Sequence, residues 1–139
     1  KIDHNTIYGN YDSGIQVYVG NYTVVTGVAS ISNNIIVHNL VCGIIRNSDG
    51  TTSLPPMPES DYNDVYDSGV IDYYQVDAGP NDFSLDPMFC MPPTDMRIDA
   101  TSPCAGTGTG GSDRGALPAG CEPVAVEDKS WGAIKAMYR

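Results

Sequence analysis

Three aspartates spaced by three residues are the first candidates for chemistry. Asp61, Asp64 and Asp67 lie in an acidic stretch that contains no Lys or Arg between Arg46 and Arg97. Carboxylate oxygens that converge from one turn suit Ca²⁺, which takes about six to eight oxygen ligands. Ca²⁺ is therefore the one cofactor that the sequence suggests. The competing interpretation is a solvated acidic face that binds no metal.

Tyrosines beside these acids form a second candidate site. Tyr8 and Tyr66 lie at matching positions of an internal repeat described below, and Tyr62 lies two residues before Asp64. Exposed aromatic rings beside carboxylates suit sugar binding, because the ring packs on the sugar and the polar groups bond to its hydroxyls. Tyr8, Tyr62, Asp64 and Tyr66 are thus predicted carbohydrate contacts. The alternative is that these tyrosines are ordinary outward strand residues that cover neighbouring strands.

The four cysteines carry information about the compartment. Cys42, Cys90, Cys104 and Cys121 form neither a Cys-x-x-Cys pair nor a Cys/His zinc pattern. In so acidic and Lys-poor a chain they favour an exported protein with at least one disulfide. Cys90–Cys104 is the predicted pair, Cys104–Cys121 its competitor, and Cys42 the predicted free buried thiol. Four reduced thiols in a cytosolic protein would be the alternative.

The elements that must position these residues follow an internal repeat. An Asn recurs at one offset, since 34 − 5 = 29 and 63 − 34 = 29, and an aliphatic residue follows each Asn by two places. A second Asn and a Gly-Ile pair recur at the same offset. The matching residues are Asn5, Asn34 and Asn63; Ile7, Ile36 and Val65; Asn10 and Asn39; and Gly14-Ile15 and Gly43-Ile44.

Short β-branched segments separated by turns fill each period, and no helical pattern lies between them. The sequence therefore predicts an all-β solenoid in which successive coils stack on one another. Asn side chains at a fixed phase can hydrogen-bond along such a stack. Two aliphatic columns are predicted to point inward, and they consist of Ile7, Ile36 and Val65 and of Ile15 and Ile44.

Five segments of this chain, in this order, resemble the C-terminal region of exported bacterial proteins of the pectate-lyase-like superfamily. The segments are SNNIIVHN (32–39), CGI (42–44), DFSLDPMF (82–89), MRIDATSPC (96–104) and DRGA (113–116). The last three are similar to the family's "DPLF", "L-x-x-x-SPA" and "D-x-GA" segments, with Cys104 in place of the family's alanine. The resemblance covers roughly residues 4 to 121 and is specific for fold rather than for activity.

The resemblance implies a right-handed parallel β-helix of about three coils, followed by C-terminal capping loops. Residues 1–121 are expected to form the coils and closing segments. Residues 122–139 are expected to form a tail with a short amphipathic helix, because Trp131, Ile134 and Tyr138 fall on one helical face. The first residue is Lys1, so a processed chain or a piece of a longer protein is expected.

Charge excludes several classes of function. The chain of 139 residues has 17 acidic and 7 basic residues, for a net charge of −10. A nucleic-acid partner would need a basic surface, so that class is excluded. No apolar run approaches the ~20 residues of a membrane span. The expected location, secreted or at the cell surface, follows from the four cysteines of this acidic, Lys-poor chain.

The sequence contains no complete catalytic set. Thr6 and Ile35, which match Asp64 in the other repeats, are not acidic, and His4 and His38 lie at different phases. The prediction is a structural or carbohydrate-contacting module whose partners are a polysaccharide or other copies of itself. Self-association would use the N-terminal coil edge or the C-terminal tail. The alternative is the C-terminal part of a polysaccharide lyase or glycoside hydrolase with catalytic residues upstream.

Overall fold

A computed structural model describes residues 1–20, 27–50 and 53–121. These residues form short β-strands with almost no helix, so the protein is all-β as predicted. The strands are β1 (Ile2–Asp3), β2 (Thr6–Tyr8), β3 (Ile15–Val19), β4 (Ser30–Ser32), β5 (Ile35–Val37), β6 (Cys42–Ser48), β7 (Glu59–Asp61), β8 (Asp64–Tyr66), β9 (Ile71–Tyr74), β10 (Phe89–Met91) and β11 (Asp95–Ile98). A 3-10 turn spans Thr109–Gly111.

Three parallel sheets each take one strand from every repeat. Sheet A has the order β1-β4-β7, sheet B the order β2-β5-β8 and sheet C the order β3-β6-β9. In sheet B, Ile7 pairs with Ile36, which pairs with Val65. In sheet C, Ile15 pairs with Ile44. The predicted register is therefore confirmed, and the arrangement is compatible with a solenoid.

The two predicted aliphatic columns form the main core. Ile36, Val65 and Ile44 are fully buried, and Ile15 is nearly so. They pack in one cluster with Ile31 of sheet A, and Ile7 is partly buried against it. Ile7 is less buried because its strand, β2, is an edge strand of sheet B. Burial of these side chains stabilises the stack of repeats, since removal of apolar surface from water is favourable.

Glycine recurs before the second column because the repeats approach one another closely there. A Cβ atom on Gly14 would lie against Ile36, and one on Gly43 would lie against Val65 and the Asp72 carbonyl. A side chain at either position would force neighbouring strands apart. The repeated Gly-Ile pair thus reflects packing between repeats.

Asparagine side chains link the repeats where sheet A turns into sheet B. The Asn5 Nδ2 donates to Asn34 Oδ1 at 3.0 Å, and Asn34 Nδ2 donates to Asn63 Oδ1 at 2.9 Å. The ladder ends on Asp82, whose Oδ1 accepts hydrogen bonds from both the backbone N–H and the Nδ2 of Asn63. The other Asp82 oxygen accepts hydrogen bonds from Ser60 Oγ, Gly79 N and Tyr73 OH. A carboxylate suits this end of the ladder because it only accepts hydrogen bonds.

A second asparagine ladder stops one repeat earlier. Asn10 Nδ2 donates to Asn39 Oδ1 at 2.8 Å. The position that follows in the third repeat is Ser68, since 39 + 29 = 68. Asn39 Nδ2 and Ser68 Oγ are both buried atoms without a hydrogen-bond partner. An unpaired buried donor costs about 1–3 kcal/mol.

Ser68→Asn should therefore stabilise the protein by about 1 kcal/mol. An Asn side chain at this position would bring an Oδ1 acceptor to Asn39 Nδ2, as the first ladder does at Asn63. Urea unfolding followed by circular dichroism measures the change. Ser68→Ala serves as the control, because it removes the hydroxyl without adding an acceptor. A Ser68→Asn variant less stable than the Ser68→Ala variant would contradict the ladder argument.

The corners of the repeats use left-handed backbone at fixed phases. Before sheet B, His4, Asn33 and Tyr62 have φ angles of 53°, 57° and 59°. After sheet B, Gly9, His38 and Asp67 have φ angles of 69°, 56° and 51°. Each set is spaced by 29 residues, and non-glycine residues rarely adopt this conformation. The same bend is therefore made once in each of the three repeats.

The closing segments cover the outer face of sheet B, where Ile35 and Val37 pack with Ile98 and Cys104. Phe83 bridges to Asp64 at the end of sheet B. The chain then forms the antiparallel pair β10-β11. It next runs back along the sheet to the first repeat, where Ala116 N donates to Thr6 Oγ1 at 3.0 Å. The helix predicted around Trp131, Ile134 and Tyr138 lies outside the described residues.

Candidate functional site

Asp64 and Cys104 meet on the outer face of sheet B, beneath the closing segments. Asp64 begins β8 and points outward, but Phe83, Leu85 and Cys104 cover it, so the residue is 0% exposed. Its Oδ1 accepts a hydrogen bond from Leu85 N at 3.1 Å, and its Oδ2 lies 3.1 Å from Cys104 Sγ. Because a carboxylate only accepts hydrogen bonds, the thiol is the donor in this contact.

Burial changes the acid strength of both groups. Burial raises the pKa of Asp64 to about 6, against a partly offsetting hydrogen bond from Leu85. Burial also raises the pKa of the Cys104 thiol, and the adjacent Asp64 carboxylate raises it further. A reactive thiol needs a lowered pKa and solvent access. Cys104 therefore has the properties of a structural thiol and not of a nucleophile.

Arg114 lies beside this pair and joins three parts of the chain. Its Nη1 donates to Asn63 O at 2.8 Å, and its Nη2 donates to Asn81 O at 3.0 Å and to Thr107 O at 3.2 Å. The guanidinium carbon lies 3.7 Å from the centroid of the Phe83 ring. Arg114 is only 3% exposed, and this burial lowers its pKa. The side chain is a structural link from the third repeat to the closing segments.

The other residues of the closing motifs have structural contacts as well. Asp113 accepts hydrogen bonds from Gly106 N and Ala119 N. Gly115 has a φ of 86° and lies so close to Ile35 and Thr6 that a Cβ would collide with them. Ser102 Oγ donates to Pro87 O at 2.7 Å and accepts from Cys104 N at 3.0 Å. These motifs therefore fix the closing segments in place.

The structure does not bring the three calcium candidates together. Asp61 accepts hydrogen bonds from Asn81, Asp64 is enclosed with Cys104, and the Asp67 carboxylate lies 2.8 Å from His38 Nδ1. The three residues lie at the end of β7, at the start of β8 and after β8, so the corners of the chain separate them. Within residues 1–20, 27–50 and 53–121, no group of three metal-ligating side chains could hold an ion.

The predicted carbohydrate contacts also divide. Asp64 is wrong for this role, because a fully buried carboxylate cannot meet a sugar. Tyr62 lies between β7 and β8, with the centroid of its ring 6.0 Å from the guanidinium carbon of Arg114. Tyr8 and Tyr66 flank His38, with ring centroids 5.2 Å and 6.3 Å from it, and both are partly buried under the closing segments.

The disulfide joins Cys90 to Cys121, so both predicted pairings that use Cys104 are wrong. Cys104 is unavailable because the segment that carries it turns inward to Asp64. Cys42 and Cys104 are both free and buried, which confirms the prediction for Cys42. Spacing alone could not separate these pairings, because any of the three C-terminal cysteines could approach another along a loop-rich chain.

An open groove of about 440 Å³ runs along sheet A. Hydroxyl and carboxylate side chains dominate its polar lining, which includes Ser30, Ser32, Glu59, Asp61 and Asp77. Glu59 and Asp61 are two residues apart on β7, so both side chains point to the same, outward face. The groove is polar enough for a hydroxyl-rich ligand.

Sequence reasoning did not identify Arg114 and Asp82 as key residues. Arg114 stood inside a recognised motif, but nothing in the sequence indicated that it would be buried. Asp82 lies 19 residues after Asn63, outside the 29-residue period, so the repeat could not point to it. No helix within the described ranges is long and apolar enough to cross a membrane.

Comparison of the chain with protein-family models, with curated proteins and with solved structures finds no match.

Proposed function

We propose that this chain is a structural, carbohydrate-contacting module of an exported or cell-surface protein, built as a right-handed parallel β-helix of the pectate-lyase-like kind. The stacking of three repeats at one offset supports the solenoid. The order of the closing motifs supports the family. The Cys90–Cys121 disulfide supports an oxidising compartment.

The main support for a structural role is that the potentially reactive side chains are buried and form hydrogen bonds between different parts of the chain. Asp64 is bonded to Leu85 and Cys104, and Arg114 is bonded to three backbone carbonyls. Catalytic groups need access to a substrate. Side chains sealed beneath the closing segments lack that access, and they instead hold these segments against sheet B.

Hydrogen exchange combined with non-reducing peptide mapping tests this proposal. The amides of β5, β8 and residues 102–116 should exchange slowly and together, because the closing segments and sheet B would open as one unit. Peptide mapping of the exported protein should recover the Cys90–Cys121 pair. Rapid exchange of residues 102–116 beside a protected sheet B would contradict the structural role, and four free thiols would contradict export.

Self-assembly is part of the same proposal. Among the described strands, β1, β2 and β3 each pair on one side only. An unpaired strand edge is a template for another chain. The charge of −10 opposes nonspecific aggregation, so a defined dimer or filament is expected. Sedimentation velocity over a concentration series should show this species, whereas a monomer at every concentration would contradict it. The route through the tail involves residues outside the described part.

The second candidate function is the C-terminal part of a polysaccharide lyase or glycoside hydrolase. The groove along sheet A favours it, because Glu59 and Asp61 share one face there and hydrolysis uses two carboxylates. Catalytic residues upstream would complete such a site. Reducing-end release from a polysaccharide panel by the full-length gene product, absent in a Glu59→Gln variant, would support this alternative over the structural one.

A further inference from the structure

A corner column beside sheet B combines a histidine–aspartate pair with an open position. Gly9, His38 and Asp67 occupy equivalent places in the three repeats, at the turn that follows sheet B. His38 Nδ1 lies 2.8 Å from Asp67 Oδ2 in the third repeat. On its other side the column meets Gly9, where a Cβ atom would find nothing within 4 Å. In the first repeat, Gly9 therefore leaves open space where the other two repeats have a side chain.

A pocket of about 260 Å³ lies at this open position. Its lining consists of Gly9, Asn10, Tyr11, His38 and Leu40. Tyr11 is 93% exposed and Leu40 is 57% exposed, so both present large uncovered surfaces. The volume lies somewhat below the range of about 300–1,000 Å³ for drug-sized ligands, which fits a single ring better than an extended molecule.

The histidine is held so that one nitrogen remains for a ligand. Asp67 can only accept a hydrogen bond, so the Nδ1 of His38 carries the proton in their contact. In the neutral ring Nε2 is then an acceptor. The rings of Tyr8 and Tyr66 pack edge-on against His38 and fix its plane, and Phe89 packs on Tyr8 from the closing segments. In its neutral form, the His38 that lines the pocket thus has Nε2 available as an acceptor, and the exposed ring of Tyr11 lines the same pocket.

We infer that this pocket binds one residue of a neutral glycan, with a pyranose ring stacked on Tyr11 and a sugar hydroxyl donating to His38 Nε2. The C–H face of a pyranose matches the negative face of an aromatic ring. A hydroxyl supplies the donor that Nε2 requires, and Asn10 offers a further polar contact at the pocket. The negative charge of the chain disfavours an anionic sugar. This inference rests on the carbohydrate-contacting part of the proposed function.

NMR titration with cellohexaose, mannohexaose and xylohexaose tests the site. At least one of these sugars should bind saturably below about 10 mM and shift the amides of Gly9, Asn10 and Leu40. Tyr11→Ala should weaken that binding at least tenfold, and His38→Asn should weaken it at least fivefold. Tyr18→Ala is the matched control, because Tyr18 is half-exposed on β3 of sheet C. The sugar affinity of the Tyr18→Ala variant should stay within about twofold of that of the parent protein.

The outcomes separate this inference from the proposed function. Saturable binding that Tyr11→Ala does not weaken would overturn the site while leaving carbohydrate contact intact. No binding of any of the three sugars would overturn both the site and the carbohydrate contact. The nitrogen-15 chemical shifts of the His38 ring, measured by long-range proton–nitrogen correlation NMR, provide an independent readout. They should show the proton on Nδ1 in the free protein and a shift of Nε2 when the sugar binds.

Discussion

Replacing Arg114 with alanine should lower the free energy of unfolding by about 4 kcal/mol. The substitution removes three hydrogen bonds from a charged donor, a buried one to Asn63 O and partly buried ones to Asn81 O and Thr107 O. A hydrogen bond from a charged group contributes about 1.5–3 kcal/mol when it is buried and less when it is partly exposed, and the contact of the guanidinium with Phe83 is lost as well. This side chain links the third repeat to the closing segments, so the loss should also release those segments first.

Urea unfolding measures the effect, and hydrogen exchange locates it. Arg114→Lys should be intermediate, because an ammonium cannot reach three carbonyls in a planar fork. Arg97→Ala is the matched control. Arg97 forms a partly exposed ion pair with Asp95, and such a pair contributes about 1 kcal/mol or less. An Arg114→Ala variant within 1 kcal/mol of the parent protein would contradict the role assigned to Arg114.

Asp64→Asn should stabilise the protein at pH 8 by up to about 3 kcal/mol and have little effect at pH 4. The pKa of Asp64 is about 6 in the folded chain, compared with about 3.9 in an unfolded chain. A raised pKa means that the folded state holds the proton more tightly. The stability from protonated Asp64 is therefore complete below about pH 4 and is lost as the pH rises through about 6.

The amide of asparagine has no charge to desolvate, and its oxygen can still accept the hydrogen bond from Leu85 N. Its amide group would face Cys104 Sγ, which is a weak acceptor. The difference in unfolding free energy between variant and parent should therefore grow from pH 4 to pH 8. This difference isolates Asp64, since other carboxylates contribute equally to both proteins.

Asp77→Asn is the control for the loss of one negative charge. Asp77 is exposed, so its effect on stability at pH 8 should stay within about 0.5 kcal/mol. A less stable Asp64→Asn protein at pH 8 would show that the fold needs the charged carboxylate next to Arg114. In that case the charge of Arg114, and not burial, would dominate the pKa of Asp64.

The repeat made much of the fold predictable from the sequence. Residues that recur every 29 positions predict the strand register, the inward columns and the asparagine ladder, all of which the structure contains. Period and register are connected because equivalent residues of stacked repeats must lie opposite one another. The positions of Ile36, Ile44 and Asn34 in the fold can therefore be predicted from the 29-residue repeat itself.

The closing segments, in contrast, follow no period. Many of their contacts join residues far apart in the sequence, such as Cys104 with Asp64, 40 positions apart, and Ala116 with Thr6, 110 positions apart. Motif resemblance predicted that these segments exist and in what order. Resemblance did not say that they would lie along the outer face of sheet B, so the burial of Asp64 and Arg114 was not foreseen.

The role of each polar residue depends on that packing. Before it is known, Asp64 is one acid among several and Cys104 is one of three eligible disulfide partners. Once the closing segments lie on sheet B, Asp64 loses its solvent and Cys104 becomes its hydrogen-bond donor, while Cys90 is left beside Cys121. Sequence periodicity determined which residues stack within the repeats. Only the long-range packing of an aperiodic segment decided which polar groups would be buried and which would remain open to a ligand.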